Sequence, residues 1–370
     1  MSEYVPGLEG IVAARTEISL VDGQNGRLVY RGYVIADLAE KMSYEEVAYL
    51  LWRGELPNRA QLEELTRQLQ SERRLNPAAE AALAATDERI NPMDVLRTVV
   101  SAQGMQEKLR KPDYEQAIAY AAAFPVVLAR FHRQRQGKPP VEPRDDLGHA
   151  ANYLWMLTGE EPAPDKVQAL NAYLVLLADH GMNASTFTAR VIASTDSDLA
   201  SCLVGAIGAL KGPAHGGAPS VVMDQLEKLM EVKDLEGEGR AMLERHERFM
   251  GFGHRVYRTY DPRARILKEM CKRLNPEFFG VAEPWEEIAL RLLQERHPER
   301  PQATNVEFYS AGVLQAVGLP KDLFPPTFAV GRAAGWTAHV LEQVADNRLI
   351  RPQSEYTGPE PKSPVPLEKR

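Results

Sequence analysis

Apolar residues recur at helical spacing along most of this 370-residue chain, and that period limits the fold more than any other sequence feature. In "DLASCLVGAIGALKGP", they fall at i, i+3, i+4, i+7, i+8 and i+11 before Gly212 and Pro213 end the pattern. Strand signals are confined to residues 16–33, where alternating apolar residues flank an Asn25-Gly26 turn. The sequence therefore predicts an all-α protein with one small N-terminal β-hairpin.

Similar stripes predict a dozen or more helices. They cover about 43–54, 60–72, 93–109, 114–136, 145–158, 165–180, 219–231, 261–274, 283–296, 305–317 and 327–345. No fixed-period repeat or low-complexity tract interrupts them. The proline-rich tail "YTGPEPKSPVPLEKR" is expected to extend over a surface or a neighbouring subunit.

Length and charge narrow the class of protein. A chain of 370 residues exceeds the size that a single hydrophobic core usually serves, which suggests two domains. Its 44% hydrophobic and 26% charged residues are ordinary for a soluble globular protein. A net charge of −7 argues against a general nucleic-acid or anionic-membrane surface, because those need a basic excess. We expect a globular protein of the size of an enzyme, in which local clusters of arginine contrast with the negative net charge of the chain.

The two cysteines, Cys202 and Cys271, form neither a disulfide framework nor a metal cluster. The start "MSEYVPGLEG" lacks the features of a signal peptide, and no window reaches the roughly 18 apolar residues of a membrane span. A cytoplasmic location is the expectation that follows.

Five of the eight histidines receive a structural interpretation. His132, His246 and His297 lie in charged surroundings and are expected to face solvent. His149 and His339 lie within helical patterns, which is typical of core or interface histidines with satisfied hydrogen bonds.

The other three histidines lie at helix junctions. His180 closes an apolar helix, where it could simply cap the C-terminus, although Asp179, Asn183 and Ser185 add more polar groups than a cap requires. His215 precedes a helix start. Its surrounding glycines could form a plain turn, or the helix N-terminus could hold the imidazole neutral so that its N–H stabilises an enolate.

"GFGHRVYRTYDPRAR", residues 251–265, contains His254 after Gly251 and Gly253. A phosphate loop is disfavoured, since Gly-x-Gly alone is a weak signal and the Walker lysine and serine are missing. The arginines that follow, which include Arg258 and Arg263, concentrate positive charge beside the turn expected at Gly251 and Gly253.

Three more charged residues could belong to a site. Glu307 lies in the first turn of a predicted helix whose expected N-cap is Asn305, where it could merely complement the helix dipole. Arg332 lies in line with apolar side chains of its helix, and Arg351 follows that helix; neither is explained by packing. Because arginine forks bind carboxylates in bidentate fashion, one carboxylate, three histidines and several arginines favour a small di-acid as substrate.

At these residues the sequence resembles the citrate synthase family, in the family's order and over essentially the whole chain. The stretches that carry the resemblance are "GLEGIVAARTEISLVDGQNGRLVYRGY", "DLGHAANYLWMLTG", "ADHGMNASTFTARV", "GALKGPAHGGAPS", "GFGHRVYRTYDPRA", "NVEFYSAG" and "NRLIRPQSEYTGP".

The resemblance implies an all-α citrate synthase fold that works as a homodimer in the tricarboxylic acid cycle. A large domain would take residues 1–215 and 318–370, and an inserted small domain 216–317, with the site in the cleft between them. No cofactor would be permanently bound and no metal needed, since acetyl-CoA is a co-substrate beside oxaloacetate.

The roles implied by the resemblance attach to individual residues. His215 would stabilise the enol of acetyl-CoA, His254 would protonate the oxaloacetate carbonyl, and Glu307 would be the catalytic base. The remaining implied contacts are His180, Arg263 and Arg332 for oxaloacetate, Arg351 for the partner subunit's site, and Arg258, Gly251 and Gly253 for CoA.

Two departures and two rival functions accompany this interpretation. The family usually has aspartate where Glu307 stands, and "HGGAP" replaces the commoner "HGGAN", which puts Pro219 in place of a polar side chain. A 2-methylcitrate synthase would use the same residues on propionyl-CoA, since one methyl group is worth only about 1–3 kcal/mol of discrimination. A non-catalytic organic-acid sensor would keep the arginines while the base became useless.

Overall fold

The computed structural model describes residues 4–105, 110–216, 218–254, 256–299 and 302–370. Within these ranges the chain forms sixteen α-helices and one small antiparallel sheet. The predicted all-α class is confirmed.

The helices follow one another with short connections. In chain order they are α1 Ile35–Lys41, α2 Tyr44–Arg53, α3 Arg59–Ser71, α4 Pro77–Ala84, α5 Pro92–Gly104, α6 Tyr114–Gln134, α7 His149–Thr158, α8 Pro164–Leu177, α9 Ala184–Ala193, α10 Leu199–Lys211, α11 Ala218–Met230, α12 Leu235–Glu244, α13 Pro262–Leu274, α14 Pro276–Arg296, α15 Val306–Val317 and α16 Phe324–Ala345.

Local sequence explains where many of these helices begin. Ser43 accepts a hydrogen bond from the backbone of Glu46 while the Glu46 carboxylate accepts one from the backbone of Ser43, which makes a capping box at α2. Asp113 does the same with Gln116 at α6. Such reciprocal caps satisfy backbone donors that the first helical turn leaves free, so they mark helix starts that a sequence can predict.

The 22-residue helix α16 lies at the centre of the body, where it packs against α2, α6, α8, α9 and α10. Its first turn contains Pro325 and Pro326, which the start of a helix tolerates, and almost its whole length is buried. Polar residues on such a helix cannot reach water, so their partners must be other protein groups or a ligand.

Each predicted helical stripe overlaps a helix, but four helices were not predicted: α1, α4, α9 and α12. Helix α4, "PAAEAALA", is nearly all alanine, and α12, "LEGEGRAMLE", contains two glycines, so neither presents a clear apolar stripe. Helix α14 begins at Pro276, seven residues before the predicted start at 283. The predicted stripe 93–109 runs as helix to Gly104, and its last four residues lie outside the described ranges.

The predicted hairpin is present, with strands β1 Ser19–Asp22 and β2 Arg27–Tyr30 paired antiparallel so that Ser19 faces Tyr30. Its turn is stabilised by Asn25, whose backbone and side-chain N–H groups both donate to Asp22. An unpredicted two-residue strand, β3 Tyr33–Val34, extends the sheet on β2.

None of the helices in the described ranges combines the length and apolarity that crossing a bilayer requires.

Candidate active site

The turn that follows α8 presents His180. The side chains of Asp179 and His180 are buried, and Nε2 of His180 lies 3.2 Å from the hydroxyl of Tyr257. Burial lowers the pKa of His180 well below its usual value, and the positive charge of Arg263 lowers it further. This imidazole is therefore neutral at physiological pH.

The loop that contains residues 251–254 and 256–261 brings His254 beside His180, with ring centroids 5.3 Å apart. Nδ1 of His254 accepts hydrogen bonds from the backbone N–H groups of Val256 and Tyr257, both at 3.0 Å. Burial, with a smaller effect of Arg263, lowers the pKa of His254 to about 4. A neutral ring that accepts at Nδ1 carries its proton on Nε2, which is free to act as a donor.

Backbone hydrogen bonds join this loop to the segment before α15. Gly253 donates to Ala303 at 2.8 Å, and Asn305 donates from its backbone to Gly251 at 3.0 Å and from its side chain to Gly253 at 3.0 Å. Both glycines have positive φ, and a Cβ on Gly251 would lie 2.9 Å from Cβ of Phe308. The loop that carries His254 and the helix that carries Glu307 are thus held together.

Glu307 lies in the first turn of α15, where Asn305 is the N-cap and accepts the Glu307 N–H at 3.1 Å. Burial raises the pKa of the Glu307 carboxyl, although the charge of Arg263 acts in the opposite direction. A carboxylate with a raised pKa is a stronger proton acceptor, as a general base requires.

His215 lies in the turn between α10 and α11, as predicted, and Nε2 lies 2.9 Å from Oγ of Ser185. Ser185 Oγ also accepts from the indole N–H of Trp336 at 3.0 Å and lies 2.7 Å from Oδ1 of Asn183, so its single proton goes either to Asn183 or to His215. Burial, followed by the charge of Arg332, lowers the pKa of His215 to about 4. The ring is neutral and oriented, and when Ser185 donates to Nε2 the imidazole proton lies on Nδ1, from which it can be donated to a developing enolate.

The two buried arginines differ in their partners. Nε and Nη2 of Arg263 bind both carboxylate oxygens of Asp261, at 3.0 and 2.7 Å. Arg332 donates from Nε to the carbonyl of Leu177 at 2.6 Å, and its buried Nη1 has no hydrogen-bond partner among the described residues. Since an unpaired buried guanidinium donor is costly, an anionic ligand is the missing partner that fits best.

Shared electrostatics link these groups into one cluster. The charges of Arg263 and Arg332 lower the pKa of His180, Arg332 also lowers that of His215, and both arginines act on Glu307. The structure therefore brings together six of the predicted residues, which are His180, His215, His254, Arg263, Glu307 and Arg332.

Two predicted residues lie apart from the cluster in this chain. Arg351 is exposed at the start of the tail, and residues 351–370 are exposed throughout. The Arg258 side chain is also exposed, although its backbone N–H donates to the carbonyl of Gly23 at 2.9 Å. Arg258 is thus an exposed residue of the loop that carries His254.

Three participants were not assigned a role from sequence. Tyr257 contacts His180, Asp261 pairs with Arg263, and Asp179 lies 3.2 Å from Nε2 of His339. Asp261 could have been found, because Asp-Pro-Arg places an N-cap carboxylate two residues before a guanidinium. The contact between Tyr257 and His180 joins residues that are 77 positions apart, so no local sequence pattern predicts it.

The remaining histidines bear out part of the prediction. His246 and His297 are exposed, but His132 is half-buried between Arg135 and Gln136, and burial lowers its pKa to about 4, so the solvent-facing prediction was wrong for it. His149 is buried and stacks on Tyr44, 4.7 Å between centroids. The expected hydrogen bond of His149 was wrong, because neither ring nitrogen has a partner among the described residues.

Among the described residues, no group of three or more His, Cys, Asp and Glu side chains has an arrangement that could hold a metal ion.

Comparison with known proteins identifies the class that this fold and cluster belong to. The family model described as citrate synthase, C-terminal domain, matches residues 7–353. Citrate synthase 2 of Bacillus subtilis is 46% identical, over 98% of each chain. The 2-methylcitrate synthase of Mycobacterium tuberculosis is 40% identical, over 96% of this chain and 90% of the relative.

Solved structures agree with these relatives. The crystal structure of citrate synthase from Thermotoga maritima matches with a TM-score of 0.89 at 42% identity, covering 99% of each chain. The ternary complex of citrate synthase from Thermoplasma acidophilum with carboxymethyl coenzyme A and oxaloacetate matches with a TM-score of 0.90 at 28% identity, covering all of each chain. The chain belongs to the citrate synthase family.

Proposed function

We propose that this protein is a citrate synthase, a transferase that condenses acetyl-CoA with oxaloacetate and hydrolyses the resulting citryl-CoA to citrate and CoA. One observation carries the proposal: the buried Arg332 Nη1, which has no hydrogen-bond partner among the described residues, belongs to the same cluster as three neutral imidazoles and a carboxyl of raised pKa. A small di-acid would supply the anion, and the other groups would supply proton transfer.

In the first step Glu307 removes a proton from the acetyl methyl group. This transfer is steeply uphill in water, so the developing enolate oxygen must be stabilised as the proton leaves. Neutral His215 donates a hydrogen bond to that oxygen, an effect worth about 100-fold or more in kcat. The raised pKa of Glu307 and the lowered pKa of His215, about 4, support these two roles.

In the second step the enol attacks the ketone carbon of oxaloacetate, and His254 transfers its proton to the ketone oxygen. The two backbone N–H groups on Nδ1 support this role, since they leave the proton on Nε2. His180, Arg263 and Arg332 hold the oxaloacetate carboxylates. Hydrolysis of the thioester then releases CoA, and domain closure would exclude water until that stage.

CoA would be a co-substrate that binds along the backbone of Gly251 and Gly253, with its phosphates near Arg258. We propose no permanently bound cofactor and no metal. The exposed position of Arg258 on the loop that carries His254 supports a contact with a mobile, charged group.

Glu307 is one methylene longer than the usual aspartate, which would move the carboxylate by about 1 Å. A displacement of that size can cost about 100-fold in rate unless the backbone compensates. The hydrogen bonds of Asn305 to the 251–253 segment are where such an adjustment would occur.

The second candidate is 2-methylcitrate synthase, which performs the same condensation on propionyl-CoA. The 40%-identical relative of that name supports it. The two activities would share all the residues above and differ in room for one methyl group.

Assembly and location are further parts of the proposal. A homodimer would let Arg351 reach the partner subunit's site, which its exposure in the single chain supports. We also propose a large domain of residues 1–215 and 318–370, a small domain of 216–317, and a place in the tricarboxylic acid cycle in the cytoplasm.

The decisive experiment measures thiol release from acetyl-CoA and from propionyl-CoA, with and without oxaloacetate. We expect oxaloacetate-dependent release with a higher kcat/KM for acetyl-CoA. A higher value for propionyl-CoA would make the protein a 2-methylcitrate synthase. Oxaloacetate binding without CoA release from either thioester would refute both activities and favour a sensor.

A further inference from the structure

The turn of the β1–β2 hairpin lies directly against the loop that carries His254. The carbonyl of Gly23 accepts a hydrogen bond from the backbone N–H of Arg258 at 2.9 Å. A Cβ added to Gly23 would lie under 3.0 Å from the carbonyl oxygen, carbonyl carbon and Cγ1 of Val256. The backbones of Gly23 and Val256 are in contact here, so position 23 has no room for any side chain.

The residue that Gly23 touches also holds the His254 ring. The Val256 N–H is one of the two donors to Nδ1 of His254, at 3.0 Å, and the Tyr257 N–H is the other. Because these donors keep Nδ1 unprotonated, they leave the proton on Nε2. Moving Val256 would weaken the bonds that select this tautomer.

The other end of the same hairpin is fixed to the turn that carries His180. Ser19 donates to the Asp179 carboxylate and accepts from the Gly181 N–H at 3.2 Å. The hydroxyl of Tyr30, on β2, donates to the carbonyl of Asp179 at 2.7 Å. One short hairpin therefore contacts both segments that present neighbouring histidines.

We propose that the N-terminal hairpin is a positioning element for the active site, in which Gly23 acts as a positioning residue that keeps His254 in its Nε2–H tautomer and in register with His180. The catalytic consequence rests on the proposed function; the tautomer does not. Gly23 itself touches no substrate, and its effect passes through the backbone of Val256.

The test compares Gly23→Ala with Gly32→Ala in the full-length protein. Gly32 lies beside the same hairpin, where an added Cβ meets nothing within 4 Å, although its φ of +93° makes alanine strained. Gly32→Ala is therefore the control for destabilisation of this region without a new steric contact. We expect Gly23→Ala to lower kcat about 10- to 100-fold, as for a misplacement of about 1 Å, and Gly32→Ala to keep the wild-type kcat.

The tautomer is read from ¹⁵N shifts of the His254 imidazole, assigned with His254→Asn. We expect wild type and Gly32→Ala to show protonated Nε2 and Gly23→Ala to show a mixture. Wild-type kcat and an unchanged tautomer in Gly23→Ala would overturn the proposal. If wild type released no CoA, the proposed function would fail, and the tautomer comparison would still decide the role of Gly23.

Asp22→Ala covers the case in which Gly23→Ala does not fold. It removes the acceptor of both Asn25 hydrogen bonds at the exposed turn and so loosens the hairpin without adding bulk. We expect faster hydrogen exchange of the Val256, Tyr257 and Arg258 amides than in wild type. Exchange at the wild-type rate would mean that the hairpin does not hold the loop.

Discussion

The two sides of the site are held in place by different means. The helical side, residues 178–181 with α16, consists of groups enclosed by packed helices, such as Arg332 and His339. The loop side, residues 251–263 and 302–307, is joined by backbone hydrogen bonds, and its Val256, Arg258 and Thr259 are exposed. The helical side contains His180 and Arg332, whereas the loop side contains His254, Arg263 and Glu307.

This difference indicates how each side responds to change. Packed side chains on a central helix cannot shift without disturbing many neighbours, so substitutions there should alter binding and stability. A loop held by a few hydrogen bonds can move by fractions of an ångström, so substitutions there, apart from the buried Asp261–Arg263 pair, should alter kcat while the protein stays folded.

The largest effect is expected on the loop side, at Glu307. Glu307→Gln keeps the shape but removes the base, so kcat should fall by up to about 10⁴-fold with oxaloacetate affinity nearly unchanged. Thiol-release kinetics and a binding isotherm measure the two quantities. Glu307→Asp is the control and should retain or raise activity; an active Gln variant would place the base elsewhere.

The two arginines test the comparison through stability. Arg263→Met leaves the buried Asp261 carboxylate without its partner, so the free energy of unfolding should fall by about 3–5 kcal/mol. Arg332→Met leaves the carbonyl of Leu177 without its Nε donor, so the free energy of unfolding should fall by about 1–3 kcal/mol. The same substitution should abolish oxaloacetate binding.

Urea unfolding measures both losses. The double variant Asp261→Asn/Arg263→Met should recover part of the stability, since no buried charge then remains unpaired. If the two single arginine variants lost equal free energy of unfolding, the Asp261–Arg263 ion pair would not be what distinguishes the loop side from the helical side.

The histidines test the comparison through kinetics. His254→Ala, on the loop side, should lower kcat about 100-fold with a modest change in oxaloacetate affinity, and His215→Ala should do the same. His180→Ala, on the helical side, should mainly raise KM for oxaloacetate. A normal kcat in either of the first two variants would remove that histidine from the mechanism.

The smallest expected effect is a pH dependence of stability. The pKa of His254 is lowered from 6.5 to about 4, so between these values the unfolded chain binds a proton that the folded chain does not. Stability from this histidine is present above pH 6.5 and is lost as pH falls toward 4.

Melting temperatures across this pH range should fall less steeply in His254→Asn than in wild type. His180→Asn should flatten the curve as well, because the pKa of His180 is also lowered. Parallel curves for all three proteins would contradict the neutral state assigned to these rings.

Much of the fold follows from local pattern. Helical periodicity and N-caps predicted the helices that carry Glu307 and Arg332 and the helix that precedes His180, because both signals act within one or a few turns. The same locality explains the failures: alanine-rich α4 and glycine-containing α12 offer no stripe to detect.

The sequence by itself determined which residue types are available at helix junctions, and its resemblance to a family assigned them roles. Only the tertiary structure decided that Asp261 occupies two nitrogens of Arg263, that Nη1 of Arg332 has no hydrogen-bond partner in the part of the chain that the structure describes, and that the amides of Val256 and Tyr257 donate to Nδ1 of His254. It also decided that Gly23, more than 200 residues away, lies against that loop. The reason is physical: helix formation depends on neighbours three or four residues apart, whereas the protonation state of a buried group depends on whatever the folded chain places around it.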